Sequence, residues 1–323
     1  MTETTMTGDS DLGVWTTGTS LPGVLDCSQA IVTKNRVYLL GGYDATGAVS
    51  TVYTALIDSD GTLGTWTTGT PLPGNLGASQ AVITKNRVYL LGGNAGLGAV
   101  STVYTALIDS DGTLGTWTTG TPLLRALQVS QVTVTKNRVY LLGGWNDSAS
   151  MVKVYTAAID SDGLLGEWVE GTSLPGVLQG SQAIVTKNRV YLLGGWNGSA
   201  YVFTVYTAAI GSDGTLGTWT MGASLPGALR LSQAIVTKNR VYLLGGYDGG
   251  SVVPTVYTTA ISDDGTLGEW TVESSLPGVR SESQAIVTKN RVYLMGGNTG
   301  NTVVSTVCMA AIGSDGILER ILA

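Results

Sequence analysis

The 323 residues include no histidine, one phenylalanine and two cysteines, and only 12% of them carry charge. Without histidine there is no imidazole to ligate a metal, to act as a base near neutral pH or to sit in a nucleophilic triad. Two cysteines far apart in sequence, Cys27 and Cys308, do not make a disulfide framework and are expected to be free, partly buried thiols. The shortage of charge removes the solvated faces that surface helices need. A net charge of −6 argues against nucleic acid, because phosphate neutralisation needs a clustered excess of Lys and Arg. No run approaches the ~18 apolar residues of a membrane span. The opening MTETTMTGDSDLG has neither a basic nor an apolar leader segment. The chain is therefore expected to be soluble and not membrane-inserted, with its compartment left open.

What the chain does have is repetition. Ser-Gln recurs at Ser28, Ser79, Ser130, Ser181, Ser232 and Ser283, always 51 residues apart, and Trp15, Trp66, Trp117, Trp168, Trp219 and Trp270 keep the same step. A period near 50 with a double glycine after an apolar run points to propeller blades. Within a unit, SQAIVT and RVYLLGG read as a hairpin turned at Lys-Asn. A glycine-rich loop, the β-branched run STVYTALI, the polar turn DSDGTLG and a last strand TWTTGTPLP follow. Four antiparallel strands repeated six times predict an all-β chain, a six-bladed β-propeller spanning residues 1–323 as one unit. The chain opens on a fourth strand, residues 14–19, and finishes just after a third strand, Thr306 to Ile312, in the blade formed by residues 283–312. The N-terminal strand is thus expected to complete the last blade and give a closed monomer. Ile321 stands where a seventh Trp would fall.

The apolar strand ending in Gly41-Gly42, followed by Tyr53 and Trp66, resembles the kelch motif, and the resemblance covers essentially the whole chain. The stretch between Tyr53 and Trp66 is longer than in common kelch repeats. Its segment Ser59 to Trp66 resembles the Asp-box hairpin of sialidase propellers, with Asp and Gly displaced by one position. Kelch-like propellers include copper-dependent oxidases, but a chain without histidine cannot assemble such a site.

Some positions are copied and others edited. Lys34, Asn35 and Arg36 recur in every unit and read as a solvated hairpin in which Asn takes a left-handed conformation. The DSDG turns read as Asx turns. Calcium is disfavoured because Gly211, Ser262 and Gly313 replace the first Asp, and no cofactor is called for. The edited positions are two. Before Ser-Gln stand Asp26, Gly77, Gln128, Gln179, Arg230 and Ser281, each with its neighbour, the last being Glu282. After the double glycine stand Tyr43-Asp44, Asn94-Ala95, Trp145-Asn146, Trp196-Asn197, Tyr247-Asp248 and Asn298-Thr299. Strand direction puts both edited loops on one face and the copied turns on the other. Aromatic residues beside amides or acids suit stacking on a sugar ring or anchoring a protein. The expected ligand-binding set is Tyr43, Asp44, Asn94, Trp145, Asn146, Trp196, Asn197, Tyr247, Asp248, Asn298, Asp26, Gln128, Gln179, Arg230, Arg280 and Glu282.

The leading reading is a non-enzymatic module whose partner is a glycan or a protein surface, with no catalytic or metal residues assigned. One alternative is a sialidase-like hydrolase in which Arg125, Arg230 and Arg280 clamp a carboxylate, Asp26 or Glu282 is the acid or base and Tyr43 or Tyr247 is the nucleophile. Another is a recently amplified or designed scaffold with no evolved ligand.

Overall fold

A computed structural model describes residues 15–313 together with 318 and 319. Val14 and Ile321, which figure in the sequence reading, lie outside the described residues. Five four-stranded antiparallel sheets, and a sixth of four strands with Leu318–Glu319 also paired to its Val307–Ile312 strand, form a β-propeller. In the first blade the strands run Gln29–Val32, Arg36–Leu40, Val52–Leu56 and Thr67–Thr68 from the axis outward. Only two residues of the expected TWTTGTPLP strand pair, since the chain must turn toward the next blade at Pro71 and Pro73. In the sixth blade Gln284–Val287, Arg291–Met295 and Val307–Ile312 are completed by Thr16–Thr17, with Thr16 opposite Met309 and Thr17 opposite Cys308. Among the described residues no helix is long and apolar enough to cross a membrane.

The run Val37-Tyr38-Leu39-Leu40 is apolar throughout because both faces of the strand are covered. Val37 and Leu39 pack toward the sixth blade with Tyr293 and Met295, while Tyr38 and Leu40 pack toward the second with Val88, Leu90 and Trp117. Each blade junction has such a core, so the Trp and Tyr repeats are packing residues, as expected. Gly41 lies at φ +58, where an added Cβ would stand 2.2 Å from the Leu76 carbonyl oxygen. This explains the copied diglycine: the next blade's backbone occupies the space a side chain would need.

The copied turns interlock. Thr33 Oγ1 and Tyr38 Oη both donate to the Gly112 carbonyl of the next blade, at 2.8 and 3.2 Å, and Lys34 Nζ donates to the Ser110 carbonyl at 3.3 Å. The same pairing to Gly163, Gly214, Gly265 and Gly61 joins four further junctions. Asp60, Asp111, Asp213 and Asp264 accept from the backbone N–H two residues on, as Asx turns do. One expectation fails: none of the six copied asparagines has positive φ, and of these hairpins only Lys85 does, at φ 28. Asn35 Oδ1 instead lies against Gly112, 3.0 Å from where a Cβ would stand. The asparagine thus lies beside the neighbouring blade's turn and does not bend its own hairpin.

Candidate functional site

The two edited loops are joined by backbone. Asp26 and Tyr43 exchange N–H to carbonyl bonds of 2.9 Å in both directions. The same bridge pairs Gly77 with Asn94, Gln128 with Trp145, Gln179 with Trp196, Arg230 with Tyr247 and Ser281 with Asn298. Each blade thus presents one edited residue from either loop side by side.

Inside this rim the residue before each Ser-Gln closes a circle. Ala78 N–H donates to the Cys27 carbonyl, Val129 to Ala78, Gly180 to Val129, Leu231 to Gly180, Glu282 to Leu231 and Cys27 to Glu282, at 2.8–3.1 Å. All six have φ between 45 and 62, although only one is glycine. A left-handed β-branched residue such as Val129 is strained, and here neighbours on both sides of the ring hold it. Below lies a second circle. Gln29 Oε1 accepts from Ala81 N–H at 3.1 Å, and each copy does the same until Gln284 accepts from Ala30.

Many edited side chains hold one another. Asn94 Nδ2 donates to Gln128 Oε1 at 3.2 Å, Gln128 Nε2 to Asp147 at 2.8 Å, Gln179 Nε2 to Ser150 Oγ at 2.9 Å, Arg230 Nη2 to Gln179 Oε1 at 3.4 Å and Asn298 Nδ2 to Asp26 at 3.4 Å. The acid or amide after each aromatic caps its own loop. Asp44 accepts from Thr46 and Gly47, Asn146 from Ser148 and Ala149, Asn197 from Ser199 and Ala200, and Asp248 from Gly250 and Ser251. The aromatic-plus-acid pairs of the sequence are therefore, in large part, an aromatic plus a loop cap.

The aromatics do not form one ring. Tyr43 lies flat on Gly77 of the next blade, where any Cβ would stand 2.3 Å from its Cε2. Trp145 is half-buried on the third blade. Trp196 and Tyr247 are brought together by Tyr201, whose ring centroid is 4.8 Å from one and 5.2 Å from the other. Sequence reasoning missed Tyr201 because it sits five residues beyond Trp196, where the fourth blade's hairpin continues as Tyr201–Ala209. The alternation of Tyr201, Phe203 and Val205 into that strand was the available signal. Beside this cluster a cavity of about 290 Å³ is lined by Tyr201, Tyr247, Arg230, Ser281, Glu282 and Asn298.

The axial side of the cavity is acidic. Ligand atoms of Asp26, Cys27 and Glu282 lie within 4.8 Å of one another. Burial, with the Asp26 charge added, pushes the Glu282 carboxyl up to about 7, and Arg230 offsets part of this. Burial raises Asp26 too, and the Cys27 thiol goes well above its ordinary value. Two carboxylates and a thiol are of a type that holds a divalent metal, but the nearby Arg230 cation opposes one. Burial and the same acids raise the Tyr43 phenol to about 12, the wrong direction for a nucleophile.

The three arginines have separate neighbours. Arg230 faces this cavity, Arg125 is exposed beside Tyr155 and Lys153, and Arg280 is buried against Cys308 beneath the face. No one substrate group touches all three. Cys27 and Cys308 are both unpaired.

No protein-family model matches the chain. Among curated proteins it is 28% identical over 252 residues to the kelch-like protein terF of Aspergillus terreus (strain NIH 2624 / FGSC A1156), covering 68% of this chain and 53% of that protein. The chain is a six-bladed β-propeller whose sequence is similar to that of this kelch-like protein. It spans about half the length of this curated relative. The solved structure of YjhT superposes on the six blades with a TM-score of 0.74 at 14% identity, over 92% of this chain and 98% of that one, a likeness of fold.

Proposed function

We propose that the edited face of this kelch-type propeller is a non-enzymatic recognition surface, and that its ligand is a glycan seated in the cavity beside Tyr201 and Tyr247. The observation that carries this reading is the tilted Tyr201–Tyr247 pair, 5.2 Å apart, next to Arg230, Ser281 and Asn298. Aromatic faces bury the apolar side of a sugar ring, and polar groups at the edge read its hydroxyls. At about 290 Å³ the cavity suits one or two sugar units. The strained inner ring and the hydrogen-bonded rim fix these side chains before a ligand arrives, which lowers the entropy lost on binding. A glycan array probed with the wild type and with the Tyr201→Ala/Tyr247→Ala variant tests it. Binding by the wild type that disappears in a still-folded variant is the expected result.

A protein partner is the second reading, and Leu97 favours it. This side chain is fully exposed at the tip of the second blade's edited loop, a position that serves an anchor better than a sugar contact. An array on which the wild type binds nothing turns the reading to this surface.

A further inference from the structure

The cavity beside Tyr201 belongs to the edited face, and the copied face holds one of its own. Between the third and fourth blades lies a cavity of about 390 Å³ whose lining includes Lys136 and Lys187, Gly211 and Ser212, and the half-buried Val185 and Ile210. Gly211 is one of the few edits on that face. The same place in the first three units is held by Asp58, Asp109 and Asp160. Lys136 Nζ donates to the carbonyl of Ser212, next to Gly211, at 2.8 Å, as Lys34 Nζ does to the carbonyl of Ser110, next to Asp109, at 3.3 Å. The lysine is copied, but the acid in the turn it reaches has been removed together with its side-chain volume.

Among the described residues no acid lines this cavity, and neither Lys136 nor Lys187 pairs with a carboxylate. Asp213, the remaining acid of the turn, is committed elsewhere: it accepts from the Thr215 N–H and Oγ1 at 3.0 and 2.7 Å, and its charge faces Arg138. Each ammonium has three protons to donate. One goes to a carbonyl, that of Ser212 for Lys136 and that of Asp263 for Lys187. The others are left for a ligand, so that two cations from neighbouring blades border one cavity with an apolar wall beside them.

We propose that this cavity on the copied face binds a small phosphate monoester, its phosphate between Lys136 and Lys187 and its organic group against Val185 and Ile210. A phosphate dianion matches two ammonium groups in charge, and lysine serves it as a point charge. A cavity of about 390 Å³ has room for the ester. The probe is phenyl phosphate, titrated calorimetrically into the full chain at low ionic strength, where exposed charges are least screened. Gly211→Asp restores the residue of the first three units, and Gly211 does not have a positive φ that would exclude it. Lys187→Gln removes one cation without adding an acid, and Lys34→Gln does the same at a junction whose turn keeps Asp109. The wild type should bind saturably, and Gly211→Asp and Lys187→Gln each about tenfold more weakly, while Lys34→Gln binds as the wild type does. No saturable binding by the wild type at millimolar ligand overturns the proposal. So does wild-type affinity in Lys187→Gln, or a loss as large in Lys34→Gln, which would assign the binding to the general field of the face.

Discussion

Glu282 shows how one edited residue departs from its unit. Unit by unit the same ring position holds Cys27, Ala78, Val129, Gly180, Leu231 and Glu282, and only the last is an acid, partly buried. Facing Asp26, Cys27 and Arg230, its carboxyl rises from 4.5 to about 7. A value raised on folding means that the native state holds the proton more tightly. The stabilisation is complete below about 4.5, and it is lost as pH rises through 7. Glu282→Gln keeps the shape without the charge, so the wild type should lose up to about 3 kcal/mol relative to the variant between pH 4.5 and 8. Urea titrations at the two pH values measure this, and parallel stabilities would show that the acid is solvated. Such a shift was not legible in the sequence. The letters place an acid near a rim, but the closure that sets Glu282 beside Asp26 spans 256 residues of chain. The loop-capping roles of Asp44 and Asn146 were hidden for a different reason: a cap and a ligand contact call for the same residue types.

At the scale of the element, the copied turns were legible as scaffold, while their mechanism needed the partner blade. Repetition marked Thr33, Asn35, Tyr38 and the DSDG turn as structural, but each unit's hairpin is completed by the next unit's turn. In the third blade Thr135 Oγ1 and Tyr140 Oη both donate to the Gly214 carbonyl, at 2.7 and 3.2 Å. Either hydroxyl alone keeps that oxygen satisfied, so Tyr140→Phe or Thr135→Val should each cost about 1 kcal/mol. Removing both orphans a buried carbonyl, and the double variant should cost about 1 kcal/mol more than the sum. Additivity in a double-mutant cycle would mean that water replaces the missing donors. Backbone approach is less forgiving. Gly92 sits at φ +58 with a Cβ position 2.4 Å from the Leu127 carbonyl oxygen, so Gly92→Ala should cost about 3 kcal/mol or more, read as a fall in Tm.

Over the whole molecule, three circuits close between the sixth blade and the first residues of the chain. The glutamine ring closes at Gln284 to Ala30, the left-handed backbone ring at Cys27 to Glu282, and the outer strand at Thr16 to Met309. The sequence announced the last of these, because a chain that opens on a fourth strand needs a blade to join. The inner rings carried no such signal, since their residues look unconstrained at the ring position. Closure distinguishes this array from an open solenoid, in which each unit answers only to its neighbours and ends can fray separately. Here Trp15, half-buried against Val292, Leu294 and Cys308, belongs to the core between the fifth and sixth blades. Trp15→Ala should cost about 3 kcal/mol and lower the midpoint of the molecule as a whole. Calorimetry together with tryptophan fluorescence separates the cases. One transition, displaced to lower temperature by both probes, is the expected result of a ring that holds or fails together. A split into two transitions would show that the blades next to the seam open alone, and that the circuits through Gln284 and Glu282 join blades without making them cooperative.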